Sequence, residues 1–215
     1  MYQDLSSILE NMDLDFDDES SAEWDRKRNE EKLREKLKLT KIPKRYRNAI
    51  TDNPFLIEWS KNPNTGLLLQ GDIGRGKTYS ACAVMIKMLR DGTAKNGMFV
   101  TCDGLFSNIK AEFGKRDQGS TLSRACNTNL LILDDVGKER LTEWSQPILF
   151  QIINERSNNM LPTIITTNYS GRELINKFVV DEKDLVTAKA IISRMSEYSK
   201  VRIEGPDRRL NENKL

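Results

Sequence analysis

Leu67-Leu68-Leu69-Gln70-Gly71-Asp72-Ile73-Gly74-Arg75-Gly76-Lys77-Thr78 is the stretch that decides the fold. The three leucines make a short strand with no polar face, so both of its faces need cover. Residues 71–78 follow the spacing G-x-x-x-x-G-K-[ST], with a strand before and a helix beginning inside it. Glycines here let the backbone wrap a phosphate with its N–H groups, at the positive end of the following helix. The whole loop Gly71, Asp72, Ile73, Gly74, Arg75, Gly76, Lys77 and Thr78 is therefore a candidate phosphate cradle. Lys77 is expected to reach the β- and γ-phosphates of a nucleotide, and Thr78 to offer its hydroxyl to Mg²⁺.

The pattern on either side repeats strand and helix. A helix is expected over 76–90, a strand at Met98-Phe99-Val100-Thr101 and a helix over 105–113. The apolar run Leu130-Leu131-Ile132-Leu133 reads as a buried strand, 143–158 as a helix and 163–167 as a strand. Helical sequence returns over 187–197, and Val201-Arg202-Ile203 closes as a last strand. Apolar strands alternating with helices predict a five-stranded parallel sheet covered on both faces, a three-layer α/β fold.

A phosphate loop needs a second acid for its metal. Leu130-Leu131-Ile132-Leu133-Asp134-Asp135 ends a strand in two carboxylates. Asp134 is expected to hold Mg²⁺ through water, and Asp135 to orient and polarise an attacking water. A third strand ends Thr166-Thr167-Asn168. If that strand lies between the other two, Asn168 sits beside the γ-phosphate. Arg194 and the pair Arg208-Arg209 follow late in the chain, and arginine suits charge stabilisation on a transferring phosphoryl group.

Composition narrows the chemistry. The chain has 215 residues, 34 Lys and Arg against 32 Asp and Glu, and no histidine. The absence of histidine excludes Ser-His-Asp hydrolysis and histidine-containing zinc sites. Cys82, Cys102 and Cys126 are widely spaced, form no CxxC pair, and read as buried, reduced residues of a cytoplasmic protein. No apolar run approaches the length of a membrane span.

The near-neutral total hides two blocks. Residues 1–25 carry nine acids and no base, whereas 26–47 carry eleven bases against three acids. Met1, Leu5, Ile8, Leu9 and Met12 share one helical face. A second helix is expected over 22–39, with Leu33 and Leu37 as a narrow apolar stripe. Residues 1–39 thus read either as a solvated arm or as a short helical element that docks in a partner's groove, ahead of a domain over 40–215.

The order of phosphate loop, acidic strand end, polar strand end and late arginines resembles an AAA+ ATPase of the ASCE type. Ile42-Pro43-Lys44-Arg45-Tyr46-Arg47-Asn48-Ala49, Leu133-Asp134-Asp135-Val136-Gly137, Leu161-Pro162-Thr163-Ile164-Ile165-Thr166-Thr167-Asn168 and Gly205-Pro206-Asp207-Arg208-Arg209 are similar to segments of the DnaC/DnaI/IstB family. The similarity spans about residues 40–210, and Asp-Asp at 134–135 places it nearest the DnaI-type loaders. This resemblance implies an ATP- and Mg²⁺-dependent ATPase that loads a DnaB-type replicative helicase onto single-stranded DNA, self-associating when it does so. It also implies Asn168 as sensor 1, Arg194 as the arginine finger reaching a neighbouring subunit, and Arg209, or Arg208 in a shifted register, as sensor 2. Phe113, Thr142 and Trp144 match the family's strand-contacting positions, with Lys110, Lys115, Arg116 and Arg124 as added phosphate contacts. Core burial of Phe113 and Trp144 is the competing expectation. A full C-terminal helical lid is not expected, and the short, histidine-free N-terminal region departs from the zinc-bearing domain of cellular loaders, as a phage or prophage version would. An IstB-like helper of transposition and a nucleotide-dependent adaptor with negligible turnover are the alternatives.

Overall fold

The computed structural model describes residues 18–63, 65–116, 118–179, 181 and 185–206. The chain divides into two compact units between Glu35 and Lys36. The first helix, α1 (Asp18–Thr40), crosses that boundary. Within the first unit, Lys27 pairs with Glu23 at 2.9 Å and the Arg28 guanidinium lies 5.0 Å from the centre of the Trp24 ring. The apolar face of Met1, Leu5, Ile8, Leu9 and Met12 lies outside the described residues, as do Arg208 and Arg209.

The second unit is built on α2 (Pro54–Lys61), β1 (Leu67–Gln70), α3 (Lys77–Asp91), β2 (Gly97–Thr101), α4 (Cys102–Ala111), α5 (Ser120–Asn127), β3 (Leu130–Asp134), α6 (Ser145–Asn158), β4 (Thr163–Thr167), α7 (Gly171–Phe178), α8 (Leu185–Ser196) and β5 (Ser199–Arg202). All five strands are parallel, in the order β2-β3-β4-β1-β5. Every residue of β3 and β4 is buried, as a central strand between helical layers must be. The core joins Leu131 and Leu133 to Leu149, Ile152 and Ile153 of α6 and to Ala188 and Ile191 of α8.

Several boundaries differ from the periodicity, each for a local reason. Helix α4 begins at Cys102, three residues before the first apolar-periodic position, because the Thr101 hydroxyl accepts from the Gly104 N–H at 3.1 Å. Helices α2, α5 and α7 were not expected from hydrophobic spacing. Yet α2 carries Pro54 after the cap Asn53, and α7 opens with a reciprocal cap between Ser170 and Glu173. Glu112 serves α5 in the same way, accepting from the Thr121 hydroxyl, the Thr121 N–H and the Ser120 hydroxyl; these bonds, the Thr121 hydroxyl first, hold its carboxyl below the usual range. Strand β5 starts two residues earlier than expected because the Ser199 N–H donates to the Gly66 carbonyl.

Arg156 of α6 is wholly buried, the largest such side chain in the core. Its guanidinium donates to the Thr163 hydroxyl and to the carbonyls of Ala125, Cys126, Thr128 and Pro162, tying α6 to α5, to β4 and to the loops before β3 and β4. Burial lowers its pKa to about 10. The three cysteines are free and buried, and burial pushes the Cys102 and Cys126 thiols up to about 12. Among the described residues, no helix is long and apolar enough to cross a membrane.

Candidate functional site

The sheet order determines what can meet. Strand β4 lies between β1 and β3, so the loop after β1 and the acids after β3 open at the same edge, with the end of β4 between them. The loop after β1 turns through Gly74 at φ 81° and Gly76 at φ 92°, both in the left-handed region. Gly71 has a second constraint, since a Cβ there would stand 2.4 Å from the Ile203 carbonyl oxygen. The Ile203 N–H in turn donates to the Gln70 carbonyl at 2.7 Å, so the end of β5 lies directly against the start of the loop. Arg75 adds a tie, its guanidinium donating to the Gly205 carbonyl and standing 3.9 Å from the Asp72 carboxylate.

Lys77 is buried in the first turn of α3. Its ammonium donates to the Gly71 carbonyl at 2.8 Å and to the Asp72 carbonyl at 2.7 Å, within the loop. The next residue, Thr78, donates its hydroxyl to Oδ1 of Asp134 at 2.9 Å, and Thr166 of β4 donates to the same oxygen at 2.7 Å. Asp134 is 4% exposed, and burial raises its pKa against the two hydroxyls and Lys77, which lower it. One hydroxyl and one carboxylate, hard oxygens at hydrogen-bond distance, suit Mg²⁺, which takes few protein ligands and completes its shell with water and phosphate.

Asp135 departs from the strand with φ 57°, a left-handed conformation that Asp and Asn tolerate better than most residues. Its N–H donates to the Thr166 hydroxyl at 2.9 Å. Val136 is pinned to β4 on both sides, by its N–H to the Thr166 carbonyl and its carbonyl to the Thr167 hydroxyl. The Asp135 side chain therefore faces the cavity from a fixed turn.

That cavity, of about 450 Å³, is lined by Gly74, Gly76, Lys77 and Thr78 on one side and by Asp135, Lys138, Asn168 and Tyr169 on another. Asn168 is thus where the strand order requires it. Arg45, Tyr46, Ile73 and Tyr79 line the remainder. The rings of Tyr46 and Tyr79 meet edge to face at 6.4 Å, and Arg45 lies 4.4 Å from the centre of the Tyr46 ring. These base-sized aromatic surfaces were missed from sequence, although Tyr79 directly follows the phosphate loop. Thr166 was missed as a second partner of Asp134, because a buried threonine in an apolar strand reads as packing.

Arg194 does not line this cavity; its guanidinium lies 5.1 Å from the centre of the Phe150 ring and donates to the Ala190 carbonyl. A second cavity, of about 230 Å³, shares Asp135 and Lys138 with the first and has Phe106, Lys110, Arg140, Thr142 and Trp144 among its walls. Phe113, 52% exposed, stands edge to face with Trp144 at 5.9 Å, and the Lys110 ammonium lies 4.8 Å from the centre of the Trp144 ring. Phe113 is thus a surface residue and Trp144 half-buried at the rim of the core. Lys115 and Arg116 are exposed beyond α4. Arg124 is engaged elsewhere, since it donates to the Leu39 carbonyl near the C-terminal end of α1.

Comparison with known proteins agrees with this architecture. The chain is 27% identical to the replicative helicase loader DnaI of Bacillus subtilis (strain 168) over 67% of its own length and 47% of the relative's. It is 25% identical to the replicative helicase loader DnaC of Escherichia coli (strain K12) over 70% of its length and 63% of that protein. It therefore spans about half to two thirds of these curated relatives. A crystal structure of the DnaC helicase loader superposes with a TM-score of 0.62 at 27% identity, covering 75% of this chain and all of the other. The model of the IstB-like ATP binding protein family matches residues 21–215. A phosphate loop and an acidic strand end that meet across an intervening strand, on a chain matched almost throughout by that family, show that it belongs to the IstB-like ATP-binding proteins.

Proposed function

We propose that the protein is a Mg²⁺-dependent AAA+ ATPase of the cytoplasm that loads a DnaB-type hexameric helicase onto single-stranded DNA. The observation that carries the ATPase part is the meeting of Thr78 and Asp134 beneath an open cavity that ends in Asp135 and Asn168. The loader part is supported by similarity to proteins named replicative helicase loaders.

In this reading, Lys77 exchanges its loop carbonyls for the β- and γ-phosphates, while the loop N–H groups hold the phosphate backbone. Thr78 and Asp134 would hold Mg²⁺, which when bound would supply charge neutralisation. Asp135 accepts a proton from the attacking water, and backbone hydrogen bonds hold the turn that carries it. Asn168 hydrogen-bonds that water and the γ-phosphate. Arg194, remote from its own cavity, acts on the nucleotide of a neighbouring subunit, and Arg209 completes the site as sensor 2. That division makes hydrolysis depend on assembly, because no single subunit holds a complete set of charges.

Phe113 and Trp144 offer stacking surfaces for bases, worth about 1–3 kcal/mol per base and tolerant of sequence, with Thr142 and Lys110 beside them. Residues 1–39 dock on the helicase through the Leu5, Ile8, Leu9 and Met12 face. The test is co-purification with a purified DnaB-type helicase. Leu9→Asp and deletion of 1–39 are expected to lose the helicase while ATP binding persists. Full-strength capture by both variants would remove the docking role. A second reading, an ATP-dependent helper of transposition, is supported by similarity to a protein named an insertion sequence putative ATP-binding protein. Retention of a transposase and duplex DNA, with no helicase, would select it.

A further inference from the structure

Lys138 is a cation that the phosphate-loop pattern does not account for. It lies four residues past Asp134 and lines the nucleotide cavity together with Asp135, Asn168 and Thr78. Its backbone is held in place, because its N–H donates to the Asp135 carbonyl at 3.2 Å, closing the turn whose second residue, Val136, is pinned to β4. Gly137 inside that turn has φ 86°, and a Cβ there would meet Leu174 of α7 at 2.5 Å, so the turn has little room to relax. The Lys138 side chain is exposed and makes no ion pair with a described residue.

The charges around the cavity need such a group. Lys77 is placed at the loop end, and Thr78 and Asp134 are joined to each other beneath it. Asp135 lines the same cavity, and in the ATPase reading its carboxylate faces the last phosphoryl group of a triphosphate. That carboxylate repels the group, and Lys77, which the β-phosphate also engages, offsets the repulsion only in part. We propose that Lys138 is a γ-phosphate contact, a cation that offsets Asp135 and makes the site prefer a nucleoside triphosphate over a diphosphate. This deepens the ATPase reading above and rests on it. The cation acts within its own subunit, unlike Arg194, because its turn belongs to the strand that carries Asp134.

The experiment compares binding of Mg²⁺ with a fluorescent non-hydrolysable ATP analogue and with fluorescent ADP, in wild type, Lys138→Ala, Lys138→Arg and Lys77→Ala. Lys138→Ala is expected to lose affinity for the triphosphate by about tenfold, the size of one charge-assisted contact, with ADP affinity within about twofold of wild type. Lys138→Arg is expected to keep the wild-type preference, and Lys77→Ala to lose both ligands. Equal loss of both ligands in Lys138→Ala, or of neither, overturns the inference while leaving the phosphate loop standing. A wild-type protein that binds neither nucleotide overturns the ATPase reading and the inference with it. Single-stranded DNA binding measured on the same proteins closes the remaining case. A loss there with triphosphate affinity unchanged would assign Lys138 to the neighbouring cavity, which it also lines, and overturn the proposal.

Discussion

Thr78 and Asp134 lie 56 residues apart, and the Thr78 hydroxyl donates to the Asp134 carboxylate at 2.9 Å. With Thr166 on the same oxygen, the acid is held by two hydroxyls in a buried setting that disfavours its charge. An acid raised above its unfolded pKa loses folded-state stability as pH climbs through the folded value. Asp134→Asn is therefore expected to stabilise the nucleotide-free protein at neutral pH. A gain of about 1 kcal/mol would appear as a rise of about 2–4 °C in Tm for a chain of this size. The same variant should lose the further rise that wild type shows with Mg²⁺ and ATP. Thermal unfolding with and without Mg²⁺ and ATP checks both halves, and a lower Tm without nucleotide would mean that the acid is structural.

Asp135 is expected to matter for turnover and little for affinity. Asparagine tolerates the left-handed backbone at this position and keeps the side-chain shape, so Asp135→Asn should fold normally. Phosphate release should fall by about 100-fold or more, the usual range for loss of a general base, with ATP affinity close to wild type. Normal release would shift the search to Glu139, which lines the second cavity beside it.

Arg194 provides a test of shared sites. In the single chain it rests on Phe150, away from the nucleotide cavity. Arg194→Ala should keep ATP affinity and lose hydrolysis and ATP-dependent assembly. Mixing it with Lys77→Ala should restore part of the activity, because an intact arginine on one subunit then faces an intact phosphate loop on another. Size-exclusion chromatography and phosphate release on the mixture read the two effects, and absence of rescue at every ratio would contradict action between subunits.

Arg156 is expected to be a stability residue alone. Arg156→Met would fit a similar volume but remove the guanidinium from four backbone carbonyls and one hydroxyl, of which the Pro162 carbonyl keeps the Leu131 N–H. Such a loss costs about 3 kcal/mol or more, or about 6–12 °C in Tm. Thermal unfolding measures it, and an unchanged Tm would mean that water satisfies those groups.

The parts of the fold that came from strong local signals were legible in advance. The leucine strand, the glycine loop and the Leu130–Asp134 strand each pair a hydrophobic run with residues of specific chemistry, and the structure joins them as the motif order implied. Helices α2 and α7 were written in their caps, Asn53-Pro54 and Ser170 with Glu173, and were overlooked because eight residues are too few to show a period. The Tyr46 and Tyr79 surface and the Thr166 contact with Asp134 depend on which strands are neighbours, and local pattern does not encode that. Arg124 looked available for phosphate and is held by a backbone carbonyl, a partner no spacing rule could indicate.

The most direct test of the loader account is helicase transfer to single-stranded DNA. A purified DnaB-type helicase and circular, protein-coated single strands are incubated with the protein and ATP, and bound helicase is counted after removal of free protein. Wild type should deposit helicase only when ATP and Mg²⁺ are present, and Lys77→Ala should deposit none while remaining folded. Deposition by Lys77→Ala equal to wild type, or by wild type without nucleotide, would contradict the account.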